Sequence, residues 1–268
     1  MKAGLQSVSK KSVLSAKKAD RHELYQRSVQ AADVEVTFID KAFKKYRKRK
    51  AYSMREDFCG TALLSCTWAA SHKQRRATGV DIDPNVLAWG RQHNLAPLGD
   101  AGERVTLLQQ DVRLPPEQKF DLINAFNFSY WIFKDRVTLR DYFSSVRDSL
   151  VDDGVFMLDL YGGWEAHQAV RTKRAIGQGC KYVWDQGEVD PITHDVVNHI
   201  HFEFKDGSRL KKAFTYEWRF WTLTEVREVL LEAGFTDVIV YWQDEGDYVI
   251  RNTSENQPLW LVYLVALA

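Results

Sequence analysis

The stretch Arg55-Glu56-Asp57-Phe58-Cys59-Gly60-Thr61-Ala62-Leu63-Leu64-Ser65 decides the reading of this chain. Acids at its start give way to a turn around one glycine and then to an apolar run. A tight turn lets the backbone approach a ligand, and a helix that starts there offers unpaired N–H groups. Residues 52–58 before the turn read as a strand, and 62–71 after it as a helix.

Outward from that point, short apolar runs alternate with helical patterns, which indicates βαβ units around a parallel sheet. Strands are expected over 77–82, 105–109, 120–125 and 154–160, with helices over 84–94 and 135–150. Asp83-Pro84 marks a helix start, with Asp as N-cap and Pro where a missing N–H costs nothing. Upstream, 20–46 reads as one helix burying Leu24, Val29, Val36, Phe38 and Phe43, and 41–50 is dense in Lys and Arg. After Gly163 the rhythm changes to strands over 182–186, 196–204 and 210–221. Lys205-Asp206-Gly207-Ser208 supplies the turn, and a three-residue loop, Asp206 to Ser208, is expected to set Ile200 opposite Phe214 and Phe204 opposite Leu210. Thr222-Leu-Thr-Glu225 then opens a helix that Gly234 stops, and strands over 236–242 and 259–267 follow.

Four acid- or turn-bearing segments sit at successive strand ends: the quoted stretch, Gly79-Val-Asp-Ile-Asp-Pro84, Leu107-Leu-Gln-Gln-Asp-Val112 and Asn124-Ala-Phe-Asn-Phe-Ser-Tyr130. In this order they resemble the motifs of class I S-adenosylmethionine-dependent methyltransferases. Where that family usually has three glycines, this chain has Phe58, Gly60 and Ala62. The layout of the N-terminal helix and inserted strands resembles, more loosely, the glycine/sarcosine and sugar N-methyltransferases. The resemblance covers 52–160 and, by pattern, 222–267. It implies an α/β fold: a Rossmann-like, doubly wound, seven-stranded sheet with its last strand antiparallel and an antiparallel β cap inserted. As domains, 1–268 is one methyltransferase domain. Within it, 1–50 is tail and helical lid, 51–163 and 218–268 form the cofactor-binding core, and 164–217 is the substrate cap.

The same resemblance implies S-adenosyl-L-methionine as cofactor, with S-adenosyl-L-homocysteine as product. Glu56 would meet the methionine amino group, Asp81 the ribose, and Asp111 with Val112 the adenine, on which Ile82 packs. Phe58, Gly60 and Asn127 border the cofactor, and Tyr25 folds over it. Arg55 pairs either with the methionine carboxylate or with a nearby acid. Asn127, Tyr161 and His201 are the candidate catalytic groups, and Ser129, Tyr130, Tyr161 and Arg219 the candidate acceptor contacts. Arg219 has a salt bridge with Glu217 or Glu225 as its structural alternative. His199, His201 and Glu203 share a face but lack a fourth ligand, so no metal is expected. Phe214, Tyr216, Trp218 and Phe220 read as sheet core, which leaves the mixed face with His201, Lys211 and Arg219 for a polar acceptor.

A formal net charge of +1 provides no whole-molecule field for a nucleic acid or a membrane. Three cysteines without metal-ligand spacing suit a reducing compartment, and no apolar run is long enough to span a bilayer. A cytoplasmic enzyme with a small-molecule acceptor, an amine nitrogen, is the expectation. The alternatives are an RNA or protein substrate guided by the 41–50 cluster and a non-catalytic cofactor-binding module. The inserted sheet has a homodimer contact as its own alternative role. The first nineteen residues, rich in Ser and Lys, read as a basic tail.

Overall fold

The computed structural model describes residues 14–116, 118–244 and 246–268, so most of the basic tail lies outside the described residues. In chain order the elements are α1 (Arg21–Ser28), α2 (Ala32–Arg47), β1 (Ser53–Asp57), α3 (Leu63–Ala70), β2 (Arg76–Asp81), α4 (Pro84–Gly90), β3 (Val105–Gln109), β4 (Phe120–Ala125), α5 (Arg136–Asp148) and β5 (Leu150–Gly162). The insertion follows as β6 (Val170–Ala175), β7 (Cys180–Gln186), β8 (Asp195–Phe204) and β9 (Arg209–Arg219). The chain closes with α6 (Leu223–Glu232), β10 (Asp237–Asp244), β11 (Asp247–Ile250) and β12 (Trp260–Leu267).

The main sheet runs β11-β10-β12-β5-β4-β1-β2-β3, with β12 antiparallel to both of its neighbours. It is the expected doubly wound sheet with one addition: the short hairpin strand β11 makes eight strands where seven were predicted. Side-chain alternation splits the core into two layers. Ile123 and Phe156 turn toward α5 and α6, while Leu122, Val155 and Met157 turn toward α2 and α3. Trp68, Trp131 and Trp221 are wholly buried, each contributing about 2–3 kcal/mol of apolar transfer.

The caps follow the sequence closely. Asp83 accepts from the Asn85 amide with Pro84 in the first turn, and Thr222 and Glu225 close a reciprocal capping box. The predicted single N-terminal helix is two, broken around Val29. Packing explains the break. Leu24 of α1 joins Ile200 and Phe202 of the inserted sheet, whereas Val36, Ile39 and Phe43 of α2 pack on the main sheet. One straight helix cannot serve both surfaces.

The insertion is a second antiparallel sheet, β6-β7-β8-β9, one strand more than predicted because Val170–Ala175 is too polar to read as a strand. Ile200 pairs with Phe214 as expected, but Leu210 pairs with Phe202 rather than Phe204. The turn is Lys205-Asp206-Gly207, one residue earlier than predicted, and a bulge at Lys212 (φ 48°) restores the register.

Candidate functional site

The C-terminal ends of β1 and β2 and the residues that follow β4 border a chamber of about 310 Å³. It adjoins a larger cavity of about 620 Å³ beneath the inserted sheet. Tyr25, Asn127, Tyr216 and Trp218 line both, so these four side chains stand where the two spaces meet.

The chamber is shaped by the turn after β1. Phe58, Gly60 and Ala62 have φ of 55°, 54° and 56°. All three positions where the resembled family usually carries glycine thus keep the left-handed backbone, although two of them are side-chain-bearing residues that adopt it at a cost. Cross-links hold the turn. Asp81 at the end of β2 accepts from the Gly60 amide at 2.8 Å and from the Asp83 amide at 2.9 Å. Gly79 admits no side chain, because a Cβ there would lie 2.9 Å from Cys59 Sγ. Gln26 on α1 donates to Thr61 in the turn, and Arg27 donates to the Ile176 carbonyl of the insertion. Arg174 answers with a bond to the Ser28 carbonyl. Helix α1 is therefore fastened to the turn on one side and to the cap on the other, with Tyr25 between them.

Besides Asp57, which is paired with Arg55, three buried acids crowd this end of the sheet. Glu56 accepts from the Ser65 amide at 2.8 Å and hydroxyl at 2.5 Å, and burial pushes its carboxyl up to about 7. Burial also raises Asp159 to about 7, although the amides of Asn127 and Phe128 each donate to it at 2.9 Å. Those two residues both have positive φ, so their consecutive N–H groups cradle the carboxylate as a backbone nest. Glu35 on α2 is raised to about 8, first by burial and then by repulsion from Asp159 and Glu56. The basic side chains among the described chamber-lining residues are Arg21 and His22. An acid-rich chamber of this kind fits a donor that carries an ammonium and a sulfonium.

The larger cavity has a different chemistry. Every second residue of the inserted strands faces it: Val170, Thr172 and Arg174; Tyr182, Trp184 and Gln186; Ile200; Tyr216 and Trp218. Tyr216 and Trp218 stack at 4.5 Å. From the main sheet Tyr161 contributes a buried hydroxyl without a hydrogen-bond partner.

The site residues expected from sequence therefore divide. Tyr25, Glu56, Phe58, Gly60, Asp81, Asn127 and Ser129 line the chamber, and Tyr161 lines the larger cavity. Ile82 follows Asp81 with 69 % of its surface exposed. Asp111 is held by the Arg113 guanidinium at 2.6 Å, the Val112 side chain is buried, and neither borders the two spaces.

Four expectations are corrected. Arg55 does not face the chamber; it is buried on the other face of β1, bonded to Asp57 and the Val112 carbonyl at 2.6 Å each. Tyr130 is wholly buried, its hydroxyl donating to the Asp159 carbonyl at 3.0 Å. His201 lies on the outer face of the cap, near Asp185 Oδ2 (3.1 Å), and its Nδ1 accepts from the bulged Lys212 amide at 2.9 Å. Arg219 pairs with Glu225 at 3.1 Å and lies over Trp221. The predicted roles of the cap faces are thus exchanged: the aromatic face meets the cavity and the mixed face points away.

The sequence reading missed Glu35 and Asp159. Each had a signal, since Glu35 falls on the buried stripe with Ile39 and Ala42, and Asp159 interrupts the apolar run of β5. Among the described residues no group of three or more His, Cys, Asp or Glu could hold a metal, and no helix is long and apolar enough to cross a membrane.

Comparison with known proteins agrees with this architecture. Residues 59–156 match the family described as a methyltransferase domain. A Geobacillus sp. (strain WCH70) protein named a "Putative methyltransferase" is 24% identical over 233 residues, covering 82% of this chain and 87% of that one. The malonyl-[acyl-carrier protein] O-methyltransferase of Geobacter sulfurreducens is 26% identical over 190 residues, 70% of this chain and 57% of its own length. Among solved structures, an S-adenosylmethionine-dependent methyltransferase of Clostridium acetobutylicum superposes with a TM-score of 0.70 at 19% identity, over 92% of this chain and 96% of the other. The sugar N-methyltransferase KedS8 of a Streptoalloteichus species gives 0.65 at 15%, over 100% and 98%. The fold is that of class I methyltransferases. Within that fold, residues 59–156 carry the match to a methyltransferase domain.

Proposed function

We propose that this enzyme methylates the amine nitrogen of a small molecule held in the aromatic cavity beneath the inserted sheet. The observation that carries the reading is the meeting of the acid-rich chamber and the aromatic cavity at Tyr25, Asn127, Tyr216 and Trp218. On this reading Glu56 accepts from the donor's amino group and Asp81 from its ribose. Ile82, Asp111 and the Val112 backbone serve the adenine end, where Asp111 exchanges part of its bond with Arg113. S-Adenosylmethionine, when bound, supplies a methyl carbon already activated by its sulfonium.

The chain's own work is alignment and exclusion of water. The nest on Asp159 fixes Asn127 at the junction, and Phe128 and Trp131 pack around the Tyr161 ring. The free Tyr161 hydroxyl orients the acceptor by hydrogen bonding. The faces of Tyr216 and Trp218 favour a positively charged or C–H-rich group against them. The likeness to a sugar N-methyltransferase lends support to nitrogen.

A polymer substrate fits less well. Arg47 and Arg49 of the basic cluster bond the Gly154 carbonyl, Asp121 and Asp153, at the opposite end of the strands from the chamber. Transfer of a labelled methyl group to paired amine and hydroxyl versions of small acceptors tests the reading. Turnover of the amine members is the expected result, whereas exclusive labelling of hydroxyl members, or of RNA or protein, overturns it.

A further inference from the structure

The donor chamber contains acceptor groups that no side chain among the described residues satisfies. Glu35 is 94% removed from solvent and lines the chamber, being only 6% exposed. No cation or side-chain donor among the described residues pairs with it, and only the Ala31 backbone stabilises its charge. Gln30, at the start of the same segment, also lines the chamber, and its carbonyl oxygen is buried without a hydrogen-bond partner. The groups that sense Glu35 from surrounding elements are all acids or phenols: Glu56 of β1, Asp159 of β5, Tyr25 of α1, Tyr248 of β11 and Tyr263 of β12. Arg21 and His22 also line the chamber, but neither pairs with Glu35, and a buried carboxylate without a paired cation is costly unless one arrives.

We infer that Glu35 and Gln30, carried by the N-terminal helical segment, are specificity residues that bind the α-ammonium of the donor's methionine end together with Glu56. The stoichiometry of the hydrogen bonds supports this. An ammonium carries three N–H donors and accepts none. The chamber offers the Glu56 oxygen left free by Ser65, the Glu35 carboxylate and the Gln30 carbonyl. Glu35 and Glu56 lie on the same side of the sheet, with Leu64 and Phe126 also lining that part of the chamber. The sulfonium end belongs at the junction with the aromatic cavity. The N-terminal segment thereby recognises the amino-acid part of the donor rather than merely covering it.

The inference rests on the proposed orientation of the donor, and two ligands separate the two claims. S-Adenosylhomocysteine carries the ammonium, and 5′-deoxy-5′-methylthioadenosine lacks the amino-acid end altogether. Calorimetry on the full chain should show Glu35→Gln weakening S-adenosylhomocysteine at least tenfold and methylthioadenosine less than twofold. Gln30→Met should give a smaller loss, about threefold, confined to the same ligand. Unchanged S-adenosylhomocysteine affinity in Glu35→Gln overturns the inference, and so do equal losses for both ligands. Methylthioadenosine binding to the wild type without any gain from the amino-acid end refutes the ammonium subsite while leaving the nucleoside placement standing. Failure of the wild type to bind either ligand defeats the donor placement and this inference with it.

Discussion

The backbone amide of Asn127 donates to the buried carboxylate of Asp159 at 2.9 Å, and this bond joins the end of β4 to β5 at the point where the two cavities meet. With the parallel bond from Phe128 it holds two consecutive left-handed residues that would otherwise relax. Asp159→Asn keeps the shape but loses one of the two carboxylate acceptors. Misplacing a positioning group costs on the order of 10²-fold. We expect kcat to fall by about that factor while S-adenosylhomocysteine affinity changes less than fivefold, as steady-state kinetics and calorimetry would show.

The turn after β1 supplies a second prediction. Ala62 has φ 56°, which glycine tolerates and a β-branched residue does not. Ala62→Gly should leave stability within about 1 kcal/mol of wild type, because relief of strain offsets the lost methyl. Ala62→Val should cost about 2–3 kcal/mol and weaken the donor. Chemical denaturation of the pair checks this, and equal stability of Val and Gly would show that the turn is not strained.

Glu35 makes stability and binding depend on pH in opposite directions. Its ordinary value of 4.5 is raised to about 8 in the folded chain, so the native state holds the proton longer than the unfolded state. The free enzyme should therefore lose stability as pH rises from about 5 to about 8. Glu35→Gln should remove that loss, raising stability at pH 8 by about 2 kcal/mol, roughly 4–8 °C in Tm, with little change at pH 5. Affinity for the donor should instead fall as pH drops through the values of about 8 and about 7 for Glu35 and Glu56, since protonated acids hold no ammonium. Thermal melts and binding isotherms across pH 5–9 test both signs.

Much of this was legible in the sequence because local chemistry agreed with the fold. Asp83-Pro84, Thr222 with Glu225, and the apolar runs of the parallel strands each name their own conformation. The residues lining the chamber were legible through motif order: Glu56, Gly60 and Asp81 follow from where strands end. The failures have one physical source, tertiary context that composition does not carry. Arg55 and Glu56 are adjacent in β1 and so face opposite layers, and the pleat decided which one reached the chamber. The cap strands alternate clearly, but alternation fixes only that there are two faces. It cannot tell whether an aromatic face packs solidly or lines a cavity. The bulge at Lys212, which claims His201 as its hydrogen-bond acceptor, leaves no pattern in the sequence.

That correction yields a further test. His201→Ala removes the acceptor for the part-buried bulge amide, a loss of about 1 kcal/mol in stability. Because His201 faces away from the cavity, kcat/KM measured well below the melting temperature should stay within threefold. A hundredfold fall in turnover with stability unchanged would return His201 to the reacting centre.

Bound as proposed, the donor places its sulfur where the acid-rich chamber opens into the aromatic cavity. A crystal structure of the enzyme with S-adenosylhomocysteine bound measures this directly. The expected result is sulfur in contact with the junction formed by Tyr25, Asn127, Tyr216 and Trp218, with the ribose on Asp81 and the ammonium toward Glu56 and Glu35. Sulfur held away from that junction, walled off from the cavity under the inserted sheet, would contradict it.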